Sequence, residues 1–338
     1  MKRRSQEKNS LTSKKTMDQV LTILERQSKE ALQFARKELL GMTIHSKKAR
    51  MALEYYARNW NATTHPGVLS LASQAVGGKA EATTPLQTAM LLLIAAMDIH
   101  DDIIDESESK NGKPTVYGKF GIKMALLIGD ALLMKGFILL EKCRDNLQPE
   151  TFQSMTQTIE NSLFEVGNAH LLEACLEGKP KVEPDKYLRI IEKKASIFEG
   201  LTMAGAIVGR GSADKVEALR KYGKLLGLLV FLREEFIDVF EYGELRNRLD
   251  HGVPPLPVMY ALEDPEAESR VLKLASKNHQ KDISELVEIV FENKKVVKLK
   301  KKMEHLAEQA LDIIATLETQ ARIKYYLTLL IRGTVEDL

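Results

Sequence analysis

The chain has 338 residues, of which 44% are hydrophobic and 28% charged, and its formal net charge at pH 7 is +2. This balance is typical of a globular protein and gives no electrostatic reason to expect a nucleic-acid partner. The two cysteines form no metal-binding or disulfide pattern, which favours a cytoplasmic location. No Gly-, Ser- or Pro-rich linker and no alternating strands stand out, so we predict a single all-α domain.

The first sixteen residues are basic and polar and lack the apolar core of a signal peptide. We predict a disordered basic tail over residues 1–16 and one domain over residues 17–338. Clustered Lys and Arg attract anionic lipid headgroups, so the tail leaves open a weak contact with a membrane surface. Helical stripes then predict helices over residues 17–40 and 47–60.

An apolar run over residues 86–97 leads into the first acidic cluster. Pro85 is a favourable first helical residue, because its missing N–H would have no partner there. Residues four apart share a helix face, so Asp101 and Asp105 lie side by side, with Asp98 one turn earlier. Carboxylates at this density repel one another unless a cation lies between them, and Mg²⁺ prefers such oxygen ligands. A solvated acidic helix end is the alternative.

A second acidic cluster repeats the arrangement at the end of another apolar run, over residues 227–232. Glu234 and Asp238 have the same four-residue spacing as Asp101 and Asp105. Two such helix ends facing each other could hold Mg²⁺ ions around a diphosphate. The predicted metal ligands are Asp101, Asp102, Asp105, Glu234, Glu235 and Asp238.

With these clusters in place, the chain resembles the trans-isoprenyl diphosphate synthases of the polyprenyl synthetase family. The matching stretches are 100–105, 112–117, 129–133, 187–191 with Lys194, and 234–238. The resemblance implies a class I isoprenoid synthase bundle around a deep central cavity, with an allylic isoprenoid diphosphate as substrate and Mg²⁺ as cofactor. It implies four catalytic residues, Asp101, Asp102, Asp105 and Lys194.

The resemblance also implies a set of substrate-binding residues. Lys110 and Lys194 would contact the allylic diphosphate. Small Ala96 and flexible Met97 would set the cavity depth, for a chain of about fifteen to twenty carbons or longer. His170 would face the cavity and could transfer a proton near pH 7, with a packing histidine as the alternative. Phe231 would make the cavity aromatic and could stabilise a nearby cation.

The largest departure from the family pattern concerns the co-substrate, isopentenyl diphosphate. The family binds its diphosphate with basic residues at positions that here hold Ala62, Thr63 and His65, and Asn111 replaces a further arginine. Val253 stands where a later lysine would contact diphosphate, and Arg246 or Arg248 could compensate. The losses therefore cluster on the co-substrate site and largely spare the allylic site.

Three interpretations remain open from the sequence. The first is an enzyme that ionises a long allylic diphosphate without isopentenyl diphosphate, either terpene-synthase-like or a prenyltransferase to another acceptor. The second is a chain-elongating farnesyl or geranylgeranyl diphosphate synthase. The third is a non-catalytic regulatory subunit in a hetero-oligomer with an active synthase. The family commonly forms homodimers, and the apolar stretches 126–128 and 132–133 could serve as the interface.

Overall fold

The computed structural model describes residues 2–110, 112–176, 182–250, 252–275 and 280–336, and within them the chain is all-α, as predicted. One short antiparallel hairpin interrupts the helices. The helices are α1 Lys2–Leu40, α2 Lys47–Asn59, α3 Thr64–Ala75, α4 Thr84–Ile104, α5 Val116–Phe120, α6 Ile122–Lys142, α7 Pro149–Ala174, α8 Pro184–Lys194, α9 Ser196–Val208, α10 Ala213–Phe240, α11 Tyr242–Asp250, α12 Leu256–Ala261, α13 Pro265–Ala275, α14 Gln280–Glu292, α15 Lys294–Thr316 and α16 Ala321–Val335. The hairpin strands are β1 Ser109–Lys110 and β2 Lys113–Pro114.

Helix α4 lies at the centre of the bundle. It packs against α6, α3 and α1, while α9 contacts α3, α7 and α10. Residues 86–96 of α4 are buried on every side, as expected of a helix that is apolar all round. Of the described helical stretches, Ala80–Ile104 is long and apolar enough to cross a membrane, and 72% of its most apolar window is buried inside the protein.

The sequence predicts one helix over residues 187–209, but the structure divides it into α8 and α9 at Ala195. Helix α10 approaches this break closely through Gly227, where an added Cβ would lie 2.6 Å from the carbonyl oxygen of Ala195. Glycine is therefore required at this crossing. The break leaves Lys194 at the last position of α8, beside the cavity described below.

The N-terminal segment differs from its predicted conformation. Residues 2–16 continue the helix of residues 17–40 as one element, α1, because no Gly or Pro occurs before Gly41. The side chains of residues 1–15 lie outside the described part of the chain. The boundary between a basic tail and the domain, and the lipid contact of the tail, stay predictions.

Candidate active site

A cavity of about 1110 Å³ opens between the C-terminal ends of α4 and α10. Its volume is slightly above the roughly 300–1,000 Å³ usual for small-molecule sites. Acidic and basic side chains surround the mouth, and the inner wall is largely apolar, with Ile94, Val166, Ile191, Ile197 and Phe231. The deep central cavity of the prediction is therefore present.

The structure brings most of the predicted site residues to this cavity. Those that line it are Met97, Asp101, Asp105, Lys110, His170, Lys194, Phe231, Glu234, Glu235 and Asp238. Two predicted residues do not line it. Ala96 is fully buried in the core, and Asp102 is buried beside Lys110 of the hairpin. The depth of the cavity is instead bounded beside α4 by Met97 and Ile94.

The first acidic cluster lies in the last turns of α4. The carboxylates there face the negative end of the helix dipole, which adds to their mutual repulsion. Asp102 turns to the hairpin, where its Oδ1 lies 2.7 Å from the Lys110 Nζ. Asp101 Oδ1 lies 3.3 Å from His170 Nδ1 on α7. Asp98 and Asp105 have no ion-pair partner among the described residues.

The pKa values of this cluster reflect that shortage of positive charge. Burial raises the pKa of Asp98 to about 7, and burial together with Asp101 and Glu173 raises that of Asp105 to about 7. Burial would also raise the pKa of Asp101, but the His170 hydrogen bond and the nearby lysines outweigh it and lower the value. The cluster thus has two carboxyl groups, Asp98 and Asp105, whose charged form a bound cation would stabilise.

Two lysines line the mouth of the cavity, close to the first acidic cluster. Lys110 comes from the hairpin, and the acidic neighbours raise its pKa even though burial opposes its charge. Lys194 at the end of α8 forms an ion pair with Glu173 of α7. Its pKa is likewise raised, because Glu173 and Asp101 outweigh burial. Both ammonium groups are therefore charged, each is paired with one carboxylate, and both line the cavity.

The second acidic cluster, in the last turns of α10, is closed by Arg248 of α11. The two Nη atoms of Arg248 lie 3.1 and 3.0 Å from the carboxylate oxygens of Glu235, and Nη1 lies 2.5 Å from Asp238 Oδ2. Its Nε donates to the carbonyl oxygen of Val253 at 2.9 Å. The guanidinium therefore occupies the space between Glu235 and Asp238.

Glu235 is fully engaged in this arrangement. Its Oε2 also accepts the backbone N–H of Leu256 at 2.7 Å. Tyr187 of α8 accepts a hydrogen bond from Arg248 Nη2 at 3.0 Å and donates one to Glu173 at 2.8 Å. A continuous polar network therefore runs from α10 to Glu173, and from there to Lys194.

Glu234 differs from its two neighbours in the second cluster. It has no ion-pair partner among the described residues and lines the cavity. Burial, with the charges of Asp238 and Glu235, raises its pKa to about 7. Glu234 is therefore the carboxyl group of α10 that remains open to a ligand.

The donor groups at the mouth fit a divalent cation at α4 better than at α10. Asp101 and Asp105 are on one helix face, and no ion pair of Asp105 is found in the described part of the chain. Glu235 and Asp238 already hold a guanidinium. Among the residues that the structure describes, no three His, Cys, Asp or Glu side chains converge on one metal position. Mg²⁺ does not need such convergence, since it takes one or two carboxylates and completes its shell with water and substrate phosphates.

The positions expected to hold the co-substrate diphosphate carry no charge. His65 lines the cavity and stacks at 5.1 Å on Phe198, and burial lowers its pKa to about 4, so the ring is neutral. Ala62 packs against the core, and Asn111 lies outside the described residues. Val253 is buried at the cavity wall, and Arg246 turns to Asp250 at 2.6 Å.

The sequence is similar to a known protein family. The family model described as polyprenyl synthetase matches residues 15–292. A short chain isoprenyl diphosphate synthase of Methanothermobacter thermautotrophicus is 28% identical over 281 residues, covering 81% of this chain and 85% of that protein.

Two solved structures are similar in fold. The geranylgeranyl pyrophosphate synthetase of Pyrococcus horikoshii superposes with a TM-score of 0.84 at 21% identity, covering 95% of this chain and 99% of that one. A polyprenyl synthase of Caulobacter crescentus, complexed with calcium and isoprenyl diphosphate, has a TM-score of 0.77 at 20% identity, with 93% and 97% covered.

These matches bear on the three interpretations of the sequence. The similar proteins are named for the synthesis of isoprenyl diphosphates, so they favour the chain-elongating alternative. The terpene-synthase-like interpretation, drawn from Ala62, Thr63, His65 and Asn111, finds no support among them.

Proposed function

The chain belongs to the polyprenyl synthetase family, and we propose that it is a prenyltransferase of the geranylgeranyl diphosphate synthase type, which extends an allylic isoprenoid diphosphate with isopentenyl diphosphate. One observation carries the proposal: an apolar cavity of about 1110 Å³ whose mouth combines unpaired carboxyl groups with two charged lysines. An allylic diphosphate has the same two parts, an apolar chain and a polyanionic head.

The residues at the mouth would bind the diphosphate and the metal ion. Lys110 and Lys194 would bind the diphosphate oxygens of the allylic substrate as point charges. Asp101 and Asp105, with Glu234 across the mouth, would hold Mg²⁺. The bound ion would stabilise the charge that develops on the departing diphosphate.

The inner wall suits the cation formed when the C–O bond of the allylic substrate breaks. The diphosphate leaves with the bonding electrons, and the apolar wall excludes water that would otherwise quench the carbocation. Phe231 presents an aromatic ring, and the neutral ring of His65 adds no repelling charge. The double bond of isopentenyl diphosphate then attacks the cation, and transfer of a proton from the new cation to the released diphosphate gives the longer allylic diphosphate.

The test is an incubation of the full chain with Mg²⁺ and geranyl, farnesyl or geranylgeranyl diphosphate, each with and without isopentenyl diphosphate. Products are identified by mass spectrometry before and after dephosphorylation. We expect longer diphosphates only when isopentenyl diphosphate is present. Hydrocarbon or alcohol released from the allylic substrate alone would contradict the proposal.

A second candidate function is a regulatory subunit of an active synthase, and the buried Arg248 favours it. A guanidinium between Glu235 and Asp238 takes up carboxylates that could otherwise bind metal. This candidate requires that the purified chain shows no turnover in the incubation above. It also requires that the chain co-purifies with an active polyprenyl synthetase from its own cells and changes the product length of that enzyme.

We also propose that the chain forms a homodimer through the outer face of α6. Exposed apolar side chains follow that face, and they are Ile122, Leu126, Leu127, Met134, Phe137 and Ile138. Of the interface residues suggested by the sequence, Leu126 and Leu127 are exposed, whereas Ile128 and Leu132 are buried in the core. A contiguous apolar surface of this kind is typical of a protein interface. Light scattering should give twice the chain mass for the native protein and the chain mass for Leu127→Lys/Met134→Lys.

A further inference from the structure

Arg248 reaches the α10 cluster from a separate helix. Helix α11 begins two residues after α10 ends, and Leu245, which is 1% exposed, anchors it to the core. Residues three apart share a helix face, so Arg248 lies on the same side of α11 as Leu245. The guanidinium therefore lies at the mouth, where it lines the cavity together with Glu235 and Asp238.

Every N–H of this guanidinium has an acceptor. A guanidinium has five N–H donors in a planar fork. Nε donates to the carbonyl oxygen of Val253 at 2.9 Å, and the two N–H groups of Nη1 are directed at Glu235 and Asp238. The two N–H groups of Nη2 are directed at Glu235 and at the hydroxyl of Tyr187, each at 3.0 Å. Arg248 therefore has no N–H left for a diphosphate oxygen, and it contributes a fixed positive charge at this position.

The carboxylates around Arg248 are occupied as well. Both oxygens of Glu235 accept hydrogen bonds from Arg248, and Oε2 also accepts the backbone N–H of Leu256 at 2.7 Å. Asp238 uses Oδ2 for the guanidinium. Mg²⁺ requires ligand oxygens at about 2.0–2.1 Å in octahedral geometry, so an ion between these two acids would have to displace Arg248. The displaced guanidinium would then be buried without a counter-charge, which is strongly unfavourable.

A metal ion beside the bound guanidinium is also unfavourable. Two cations that share the same carboxylates repel each other, and the side chains of Arg248 and Glu235 are too little exposed for water to screen that repulsion. Glu234 is different, because it lines the cavity and has no ion-pair partner among the described residues. Of the three acids on α10, Glu234 is therefore the one that can share a cation with the α4 cluster.

We propose that Arg248 takes the place of a divalent ion at the α10 cluster, so that the chain binds its metal only between the α4 acids and Glu234. The inference rests on the proposed function and deepens it, because it concerns the cations at the mouth of the same cavity. Glu235 and Asp238 then have a structural role. They bind Arg248, and through it they fix α11 and the start of α12 at the mouth.

The test counts bound metal ions in matched variants of the full chain. Each protein is dialysed to equilibrium against saturating Mn²⁺, with and without farnesyl thiolodiphosphate, an unreactive analogue of an allylic substrate, and the bound manganese is measured by elemental analysis. Mn²⁺ is a suitable probe because it prefers the same oxygen ligands as Mg²⁺. Asp105→Asn and Asp238→Asn are equivalent changes in the two clusters, and exposed Asp312→Asn on α15 controls for weak surface binding.

We expect Asp105→Asn to bind at least one ion fewer per chain than the native protein, and Asp238→Asn to bind the same number as the native protein. Arg248→Met frees two carboxylates and should bind one additional ion per chain, with exposed Arg322→Met as its control. An equal deficit in both aspartate variants would overturn the proposal, as would a folded Arg248→Met that gains no ion. If Arg248→Met does not fold, the two aspartate variants decide.

Hydrogen exchange at the Leu256 amide gives a second readout, measured relative to the amides of α6. Glu235 accepts this N–H and is itself bound by Arg248, so protection in the native chain should be the same in EDTA and in Mg²⁺. In Arg248→Met it should rise when Mg²⁺ is added. A rise with Mg²⁺ in the native chain would show that a metal ion holds Glu235, against the proposal.

The ion count and the exchange measurement do not depend on turnover. If the native chain gives no product with isopentenyl diphosphate, the proposed function fails, and both measurements without the analogue still decide whether Arg248 replaces a metal ion. If the native chain has turnover but Asp238→Asn loses an ion, the proposed function stands and the role of Arg248 is refuted.

Discussion

The two acidic clusters have the same residue pattern, but their carboxylates have different partners. Each lies in the last turns of a buried helix, with two acids followed by a third after two residues. On α4, Lys110 lies 2.7 Å from Asp102 and His170 lies 3.3 Å from Asp101, but Asp105 has no ion-pair partner among the described residues. On α10 the buried guanidinium of Arg248 contacts both Glu235 and Asp238. The pattern alone therefore does not decide whether a carboxylate cluster is open to a metal ion.

The ion pairs of the two clusters also differ in how far their side chains are exposed to solvent. His170 and Asp101 are 28% and 32% exposed, whereas Arg248 and Glu235 are 14% and 9% exposed. Buried pairs depend on each other, because removal of one partner leaves the other charge desolvated and uncompensated. The α4 cluster therefore keeps a carboxylate that can bind an added cation, whereas two carboxylates of the α10 cluster already bind Arg248.

The largest effect should come from removing the buried guanidinium. Arg248→Met leaves Glu235 and Asp238 uncompensated and should lower the free energy of unfolding by about 3–5 kcal/mol. Urea denaturation measures the change, with exposed Arg322→Met as a control that should stay within about 0.5 kcal/mol. Mg²⁺ should restore part of the stability of the variant, because the freed carboxylates can then bind it. A variant as stable as the native chain would show that Arg248 does not hold the α10 cluster together.

The next effect compares equivalent acids of the two clusters by activity. Asp105→Asn removes an open carboxylate and should lower kcat/KM about 10²–10³-fold, the usual loss for one electrostatic element of an active site. Asp238→Asn removes a carboxylate that already forms an ion pair with Arg248. It should lower kcat/KM less than about tenfold, a smaller loss than that caused by Asp105→Asn. Exposed Asp312→Asn is the control. Equal losses at positions 105 and 238 would mean that both clusters act alike.

The smallest effect should come from the looser pair on α4. His170→Asn removes the partner of Asp101, but this pair is partly exposed and its atoms are 3.3 Å apart. Pairs of this kind contribute about 0.2–1 kcal/mol, so the free energy of unfolding should fall by less than about 1 kcal/mol. The same urea experiment measures it beside Arg248→Met. A loss as large as that of Arg248→Met would remove the distinction between the two clusters.

Much of the fold could be predicted because apolar periodicity is strong where helices are buried. The runs over residues 86–97 and 227–232 became the cores of α4 and α10, with their acids at the cavity mouth. The break at Ala195 could not be predicted, since it depends on the crossing of α10 at Gly227, thirty-two positions further along the chain. Periodicity describes one helix at a time and carries no information about such crossings.

The candidate site was predicted less completely. The sequence identifies the residue types at the mouth, but it suggests Arg248 only as a replacement for a loop lysine and not as the partner of Glu235 and Asp238. It places Ala96 at the cavity because of its position before the acidic cluster, although the side chain faces the core. Both points concern the direction of a side chain, which depends on the packing of α11 against α10 and of α4 against its neighbours.

The guanidinium on α10 differs from a dissolved ion in how its presence is controlled. Arg248 is part of the polypeptide, so each molecule has one cation at that place whatever the surrounding solution contains. A dissolved ion fills its site only in proportion to its free concentration relative to its dissociation constant. Chelators and changes in the divalent-ion concentration should therefore affect the open carboxyl groups Asp105 and Glu234, and should leave the pairing of Glu235 and Asp238 with Arg248 unchanged.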